Sequence, residues 1–468
     1  MMTWPAGDKL AHRSVRRWRH VSSVGLAFLL AGVVVAPTES GAQSNAAILR
    51  NALLIRFAPP SAVAVGGESA ISPFLQSTLD YYQGLSSTNA AALSNFFPSS
   101  SAAARRDVVS GKLDVGISSA PLNAVSTDVP DAQVAQYVQI PVAATAVALS
   151  YNLSFPTSVT ITSTVGGQQL SATTSDTCSA LLAKYPLVVT PSTLSGIFSG
   201  QISQWSASAI QASNPQLNFR ALVPIAASYT SHGTTHPQRN QKQVVNCLRF
   251  VSTPNISLVG PTSGSGLNVT MTDYLSQVDP TDFPVTTDAT PALVATPLND
   301  NAAIASAISS TDGALGYLPW SNVQSGGLAT ARLQVSSKGV TSNQSLTAST
   351  VRKDLTAAVT TIAANGGFSV LQGTSRYDVT NAGAGYPLVG LIFAMAPRSP
   401  GSTNLGVTVA KYLAWLSQNA PSGIGSSFGQ SFASGTAAIA LPMVMRQYDF
   451  SQLLTMSVNG VSSLNATN

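Results

Sequence analysis

The sequence predicts a mixed α/β protein of two lobes or domains. Short apolar, β-branched runs alternate with helix-period segments along the chain, the order that builds sheets flanked by helices. The 468 residues exceed the roughly 250–300 at which one hydrophobic core stops growing. No fixed-period repeat occurs, which excludes a solenoid or propeller.

The elements follow in order. Residues 53–65 contain strand-like runs ending at Gly66-Gly67, and 72–83 reads as a helix with Pro73 in its first turn. A short helix is expected over 101–110, a strand over 113–117 and a longer one over 137–149. Residues 154–179 are polar and Thr-rich, an irregular insertion. A short helix suits 191–199. Residues 220–227 form a strand, followed by a loop and a helix running to about Val251. Residues 254–297 are rich in loop signals. A helix over 302–309 precedes a strand over 313–318, and the helix over 349–364 ends at Gly366-Gly367. Residues 386–395 are a strongly apolar strand; 403–418 and 443–454 are helical.

Composition narrows the class. The chain is 44% hydrophobic but only 9% charged, against about 25% in ordinary soluble domains. Such a chain is not disordered. A surface carried by Ser, Thr, Asn and Gln suits a secreted protein. Of the net charge of +5, residues 1–42 contribute +3. The rest is scattered and forms no basic stripe, so nucleic acid is not an expected partner.

Residues 1–42 read as a secretory signal peptide. A basic region ends at His20, an apolar run spans 24–35, and Ser40-Gly41-Ala42 supplies a small-residue cleavage pattern. Cleavage is expected after Ala42, placing the protein in the periplasm or outside the cell. The apolar run falls short of the ~20 residues that a spanning helix needs. Only Cys178 and Cys247 occur. An even count in an exported chain suggests one disulfide; two buried thiols are the alternative.

Several turns sit just before helices, where unsatisfied N–H groups bind anions. The first is Gly66-Gly67-Glu68-Ser69-Ala70-Ile71-Ser72-Pro73. The second, Ser99-Ser100-Ser101, leads toward Gly111–Leu122. In both, serines serve equally as helix caps or ligand donors. The third is Tyr229–His236, which holds both histidines beyond residue 42, His232 and His236. Their i, i+4 spacing would suit a metal only on a helix, and no acidic residue lies between them. A capping or solvated pair, or an anion-binding loop, is expected instead. Gly425-Ser426-Ser427-Phe428-Gly429 matches G-x-S-x-G, but a helix precedes it and no His follows His236, so a serine hydrolase is rejected. No nucleotide-binding fingerprint occurs, and no metal or cofactor is expected.

Taken together, these segments resemble the phosphate-binding proteins of ABC transporters, including the DING-type branch. Gly111–Leu122 resembles that family's helix–strand–Ala-Pro-Leu segment. Leu194-Ser195-Gly196-Ile197-Phe198-Ser199-Gly200-Gln201-Ile202-Ser203-Gln204-Trp205 resembles its L-x-G-I-F-x-G-K-I-x-x-W run, with Asn214-Pro215 following. Val138–Asn152 resembles the crossover strand, Gly313-Ala314-Leu315-Gly316-Tyr317 the GAIGY strand, and Tyr386-Pro387-Leu388 the returning strand.

The resemblance implies the type II periplasmic-binding-protein fold, closing over an oxyanion. Lobe 1 would comprise 43–146 and 386–468, and lobe 2 would comprise 147–385. It implies ligand contacts from Ser69, Ala70, Ser101 and Ser119, and from Ser231, His232, Gly233 and Thr234 in the place of the family's R-x-D-G-S-G-T loop. Ser119 stands where the family has its proton-accepting Asp. Ser228 and Thr230 fall at the loop's Arg and Asp, so the charged specificity residues are absent. Arg105 or Arg106 would replace the Arg only by reaching in; a helix surface is their expected place. Cys247 lies near a DING-type Cys, with Cys178 upstream of the usual partner position. The implied function is a monomeric exported binder of phosphate or a related oxyanion, serving an ABC permease and not an enzyme. The rivals are a secreted scaffold for protein contacts and a phosphatase-like relative.

Overall fold

Three short parallel strands open the fold: β1 (Val65–Glu68), β2 (Phe97–Ser99) and β3 (Val115–Ser118), with β1 between the other two. Helices α1 (Ser72–Gly84) and α2 (Ser101–Val109) connect them. Parallel neighbours require such crossovers. Gly67 is obligatory in β1: its φ is +147°, and a Cβ there would lie 1.9 Å from the Ile117 carbonyl oxygen. The computed structural model describes residues 62–69, 72–85, 93–122, 131–165, 167–175, 178–284, 293–294, 297–364, 379–401, 403–419, 445, 453, 455–458 and 461–462. The expected signal peptide, Ala70, the Gly366-Gly367 helix stop and the G-x-S-x-G stretch lie outside them, as does nearly all of 443–454.

After the short α3 (Asp131–Val134) comes β4 (Tyr137–Asn152), whose interior is buried throughout. The expected insertion is a regular hairpin, β5 (Ser158–Val165) with β6 (Gln168–Ser175). Thr-rich alternation favours strands, which the polar composition had disguised. Next come α4 (Cys178–Lys184), β7 (Val188–Val189), α5 (Pro191–Phe198) and α6 (Ser208–Ser213). Thr190 caps α5, its side chain accepting from Thr193 N, and Pro191 occupies the first turn.

The helix expected to reach Val251 does not form. Strand β8 (Asn218–Ala226) turns through a small hairpin, β9 (Tyr229–Ser231) and β10 (Thr234–His236), into β11 (Arg239–Asn246). β11 pairs antiparallel with β8 over its full length. His232 and Gly233 both have positive φ, 50° and 74°, the conformation that reverses a chain in two residues. The returning chain is thereby delivered to β8 as a strand. Cys178 at the start of α4 is disulfide-bonded to Cys247 just after β11, with a Cα–Cα distance of 5.4 Å.

The rest of the chain returns to the main sheet. β12 (Ser257–Pro261) leads into α7 (Gly266–Val278), so the loop-rich stretch holds a regular strand–turn–helix unit. Then follow β13 (Pro297–Leu298), α8 (Asn301–Ser310), β14 (Ala314–Pro319), α9 (Trp320–Gly326), the hairpin β15 (Arg332–Ser337) with β16 (Val340–Gln344), α10 (Ala348–Ala364), β17 (Val389–Pro397) and α11 (Thr403–Asn419).

The main sheet has the order β13-β12-β14-β4-β17-β3-β1-β2. β4 binds its two halves. Tyr137–Ala146 pairs antiparallel with β17, and Val147–Asn152 with β14. Its side chains divide likewise. Val138, Ile140 and Val142 join a core with Leu75, Leu79, Ile117 and Tyr412. Ala146, Val147 and Leu149 join one with Trp205, Tyr274, Tyr317 and Tyr386.

Candidate oxyanion site

The carboxyl ends of β1 and β3, the start of α2 and the turn before α7 meet at one point. β1, β2 and β3 are parallel, so their carboxyl ends lie on one edge of the sheet, where open α/β sheets place ligands. Glu68 closes β1, Ser101 opens α2, and Ser119 follows β3. Glu68 is only 8% exposed and Ser101 1%.

The three side chains form a closed cluster. Ser101 and Ser119 each donate a hydroxyl hydrogen bond to Glu68 Oε2, the latter at 2.9 Å. The two hydroxyl oxygens are 2.9 Å apart. The Ser119 N–H donates to Ser101 Oγ at 3.1 Å. A buried carboxylate needs such donors. Ser100 is the cap of α2, accepting from Ala103 N at 3.1 Å; Ser101 is thereby released for the cluster.

The turn before α7 is Thr262–Ser265. Ser265 caps this helix, accepting from Leu267 N at 3.2 Å. Gly266, its first residue, lies against Ser119: a Cβ there would stand 2.1 Å from Ser119 Oγ and 2.6 Å from its carbonyl carbon and oxygen. The N-termini of α2 and α7 thus face the cluster from the two halves of the sheet. A crevice beside them is lined by Ser119, Asp273, Thr380 and Gly390, among others.

Arg105 corrects the expectation of a surface residue. It has no exposed area, whereas Arg106 is exposed. Its guanidinium donates to Ser118 Oγ at 3.4 Å and to the Gly264 carbonyl at 3.1 Å. It ties α2 both to the end of β3 and to the turn before α7, and it puts a permanent positive charge behind the serines.

The sequence-predicted set divides in two. Ser101 and Ser119 come together; Ser69 is exposed immediately after Glu68; Ala70 lies outside the described residues. Ser231, His232, Gly233 and Thr234 do not join them. Ser231 pairs with Thr234 across the β9–β10 turn, His232, Gly233 and Thr234 are exposed, and His236 stacks on Tyr229 at 4.5 Å between ring centroids. Two positive-φ residues make this a hairpin turn rather than a helix entry, so it offers no helix N-terminus. Gly266, at the start of α7, is the residue against Ser119, and the 262–265 turn before it meets Arg105 through Gly264.

The sequence reading missed Glu68 and that turn, and it weighed Arg105 but placed it on a helix surface. The turn had a signal: Ser-Gly-Ser-Gly followed by helix-period apolar residues is an N-cap pattern. Glu68 had none, and nothing local separated Arg105 from Arg106, because their partners are distant along the chain. Among the described residues, no group of three or more His, Cys, Asp or Glu could hold a metal ion, and no helix is long and apolar enough to cross a membrane.

Comparison with known proteins bears on the fold. A family model described as a PBP superfamily domain matches residues 38–418. No curated protein matches the chain. Among solved structures the chain is similar to a DING protein, at 16% identity and a TM-score of 0.52, over 86% of this chain and 97% of that one. It is similar to a human phosphate-binding apolipoprotein, at 16% identity and 0.51, over 86% and 97%. A high-affinity periplasmic phosphate-binding protein, solved with phosphate bound at pH 8.5, matches at 16% identity and 0.51, over 86% and 96%. At these identities the likeness is one of fold.

Proposed function

Because this chain belongs to the PBP superfamily and has the type II periplasmic-binding-protein fold, we propose that it is an exported solute-binding protein for phosphate or a related oxyanion. The observation that carries the proposal is the convergence of two seryl hydroxyls, one opening α2 and one following β3, on one carboxylate oxygen. A donor cradle that grips a carboxylate oxygen has the chemistry to grip a phosphate oxygen.

In this proposal Ser101 and Ser119 donate hydroxyl hydrogen bonds. Backbone N–H groups in the first turns of α2 and α7 add donors and a favourable dipole. Arg105 supplies charge through Ser118 and the 262–265 turn. Ser69, exposed just after β1, completes the rim, and Ala70 stays a contact that the family resemblance implies. The lobes would be 43–146 with 386–468, and 147–385, the ligand lying between them. Cleavage after Ala42, a monomeric state and delivery to an ABC permease belong to the same proposal, which assigns no catalytic residue. Its support is the family and the solved phosphate-binding proteins that share the fold.

The second reading is a secreted scaffold for protein contacts. It is favoured by the β8–β11 ribbon, where Leu222, Ile225, Tyr229 and Val244 are exposed.

The test is calorimetric titration of the chain from Gln43 with phosphate, and with sulfate as control, for the wild type and S101A/S119A. Saturable phosphate binding that the double substitution weakens tenfold or more supports the first reading. The absence of heat from folded wild-type protein, even at phosphate and sulfate concentrations high enough to load a low-affinity site, favours the second.

A further inference from the structure

The side-chain donors of the proposed site are already occupied. Each seryl hydroxyl has one proton to give, and both Ser101 and Ser119 give theirs to Glu68 Oε2. The Ser119 N–H is spent on Ser101 Oγ, and Ala103 N on the Ser100 cap. Gly266 leaves no room for even a methyl group beside Ser119. Glu68 arrives from the end of β1, where Gly66 and Gly67 bring the backbone of this strand close against β2 and β3: Cβ atoms there would meet the Phe97 and Ile117 carbonyl oxygens at 2.8 and 1.9 Å. Its carboxylate is thus carried into the donor cluster by the strand itself.

We infer that Glu68 is the resident anion of this site: its carboxylate occupies the donor cradle in place of an external oxyanion and competes with it. The inference rests on the proposed function, since it concerns affinity at the same cradle. An incoming phosphate must take the hydroxyl protons from Glu68 and lie beside a like charge, which weakens binding twice over. The consequence is an intrinsically low affinity that Glu68, rather than the serines, sets. External anion and Glu68 are alternative occupants, so the chain ranks oxyanions by how well each displaces a carboxylate.

The experiment is calorimetric titration of wild type, E68Q and E68A with inorganic phosphate, in parallel with urea unfolding of each. E68Q keeps the shape of the side chain, which guards against loss of folding in E68A. The expected result is that both variants bind phosphate at least tenfold more tightly than wild type, and that S101A/S119A in the E68A background removes the gain. Wild-type binding that is unchanged or weakened in both Glu68 variants overturns the inference while leaving the site standing, since Glu68 would then be neutral toward the ligand or an acceptor of its proton. No binding by wild type or by either folded variant overturns the inference together with the proposed function.

Discussion

Gly266→Ala is a direct test of how closely α7 meets the first half of the sheet. The new Cβ would stand 2.1 Å from Ser119 Oγ and 2.6 Å from its carbonyl carbon and oxygen. The hydroxyl can rotate away, but the carbonyl is backbone. Reaching an ordinary contact near 3.4 Å requires the first turn of α7 to retreat by about 0.8 Å, an overpacking that costs roughly 1–3 kcal/mol. Alanine's better helix propensity offsets this by at most about 1 kcal/mol, and by less in a first turn. The clash therefore wins. The same retreat would stretch a hydrogen bond of about 2.9 Å from α7 to a bound anion to about 3.7 Å, beyond bonding range. Losing one bond to a charged group is worth roughly 1.5–3 kcal/mol, or at least tenfold in Kd. Urea unfolding and phosphate titration of G266A report the two effects separately. Gly84→Ala is the control: it closes α1 with nothing within 4 Å of its Cβ position, and no loss is expected. A G266A variant as stable as wild type, with Kd within twofold, would refute the argued closeness of α7 and Ser119.

Three further outcomes are expected. Cys178 and Cys247 are 69 residues apart, so the C178S/C247S variant should lose about 4 kcal/mol by the chain-entropy argument; an unchanged urea midpoint against the oxidised wild type would contradict it. Asp354 is fully buried and accepts N–H groups from Ala382, Ala384 and Gly385 at 3.2, 3.1 and 3.0 Å, so D354A should cost roughly 2–4 kcal/mol in orphaned donors. Burial raises the Asp354 pKa above 3.8, outweighing the lowering by those three bonds. The native state therefore holds this proton more tightly than the unfolded chain. Wild type should lose stability relative to D354N as pH rises from about 3.8 through the raised native value. Urea midpoints from pH 4 to 7 measure it, and a difference independent of pH would show that the carboxyl is not held in its proton-binding state.

How much was legible varied with the range of the interactions. The apolar runs of β4 and β17 needed no partner to be read as strands, since a strand buried on both faces is apolar along its length. The serines before α2 were legible as caps or ligand donors, and the structure makes Ser100 the cap. Ser101 and Ser119 were named from the sequence because the family resemblance aligned them with ligand-binding positions, and for Ser101 the run of serines before a helix pointed the same way. The Tyr229–His236 loop was named because it aligns with the family's R-x-D-G-S-G-T loop, and an alignment carries no record of the two-residue turn that His232-Gly233 makes.

By itself, the sequence determined the α/β class, the succession of strands and capped helices, and the presence of serines at their turns, because these depend on neighbours a few residues apart. Only the tertiary structure decided which turns meet. Glu68 is 33 positions from Ser101 and 51 from Ser119, and Arg105 is 159 from Gly264. Whether a carboxylate fills a donor cradle, or an arginine on a short helix is buried, depends on what sheet pairing packs around it. No local pattern carries that information.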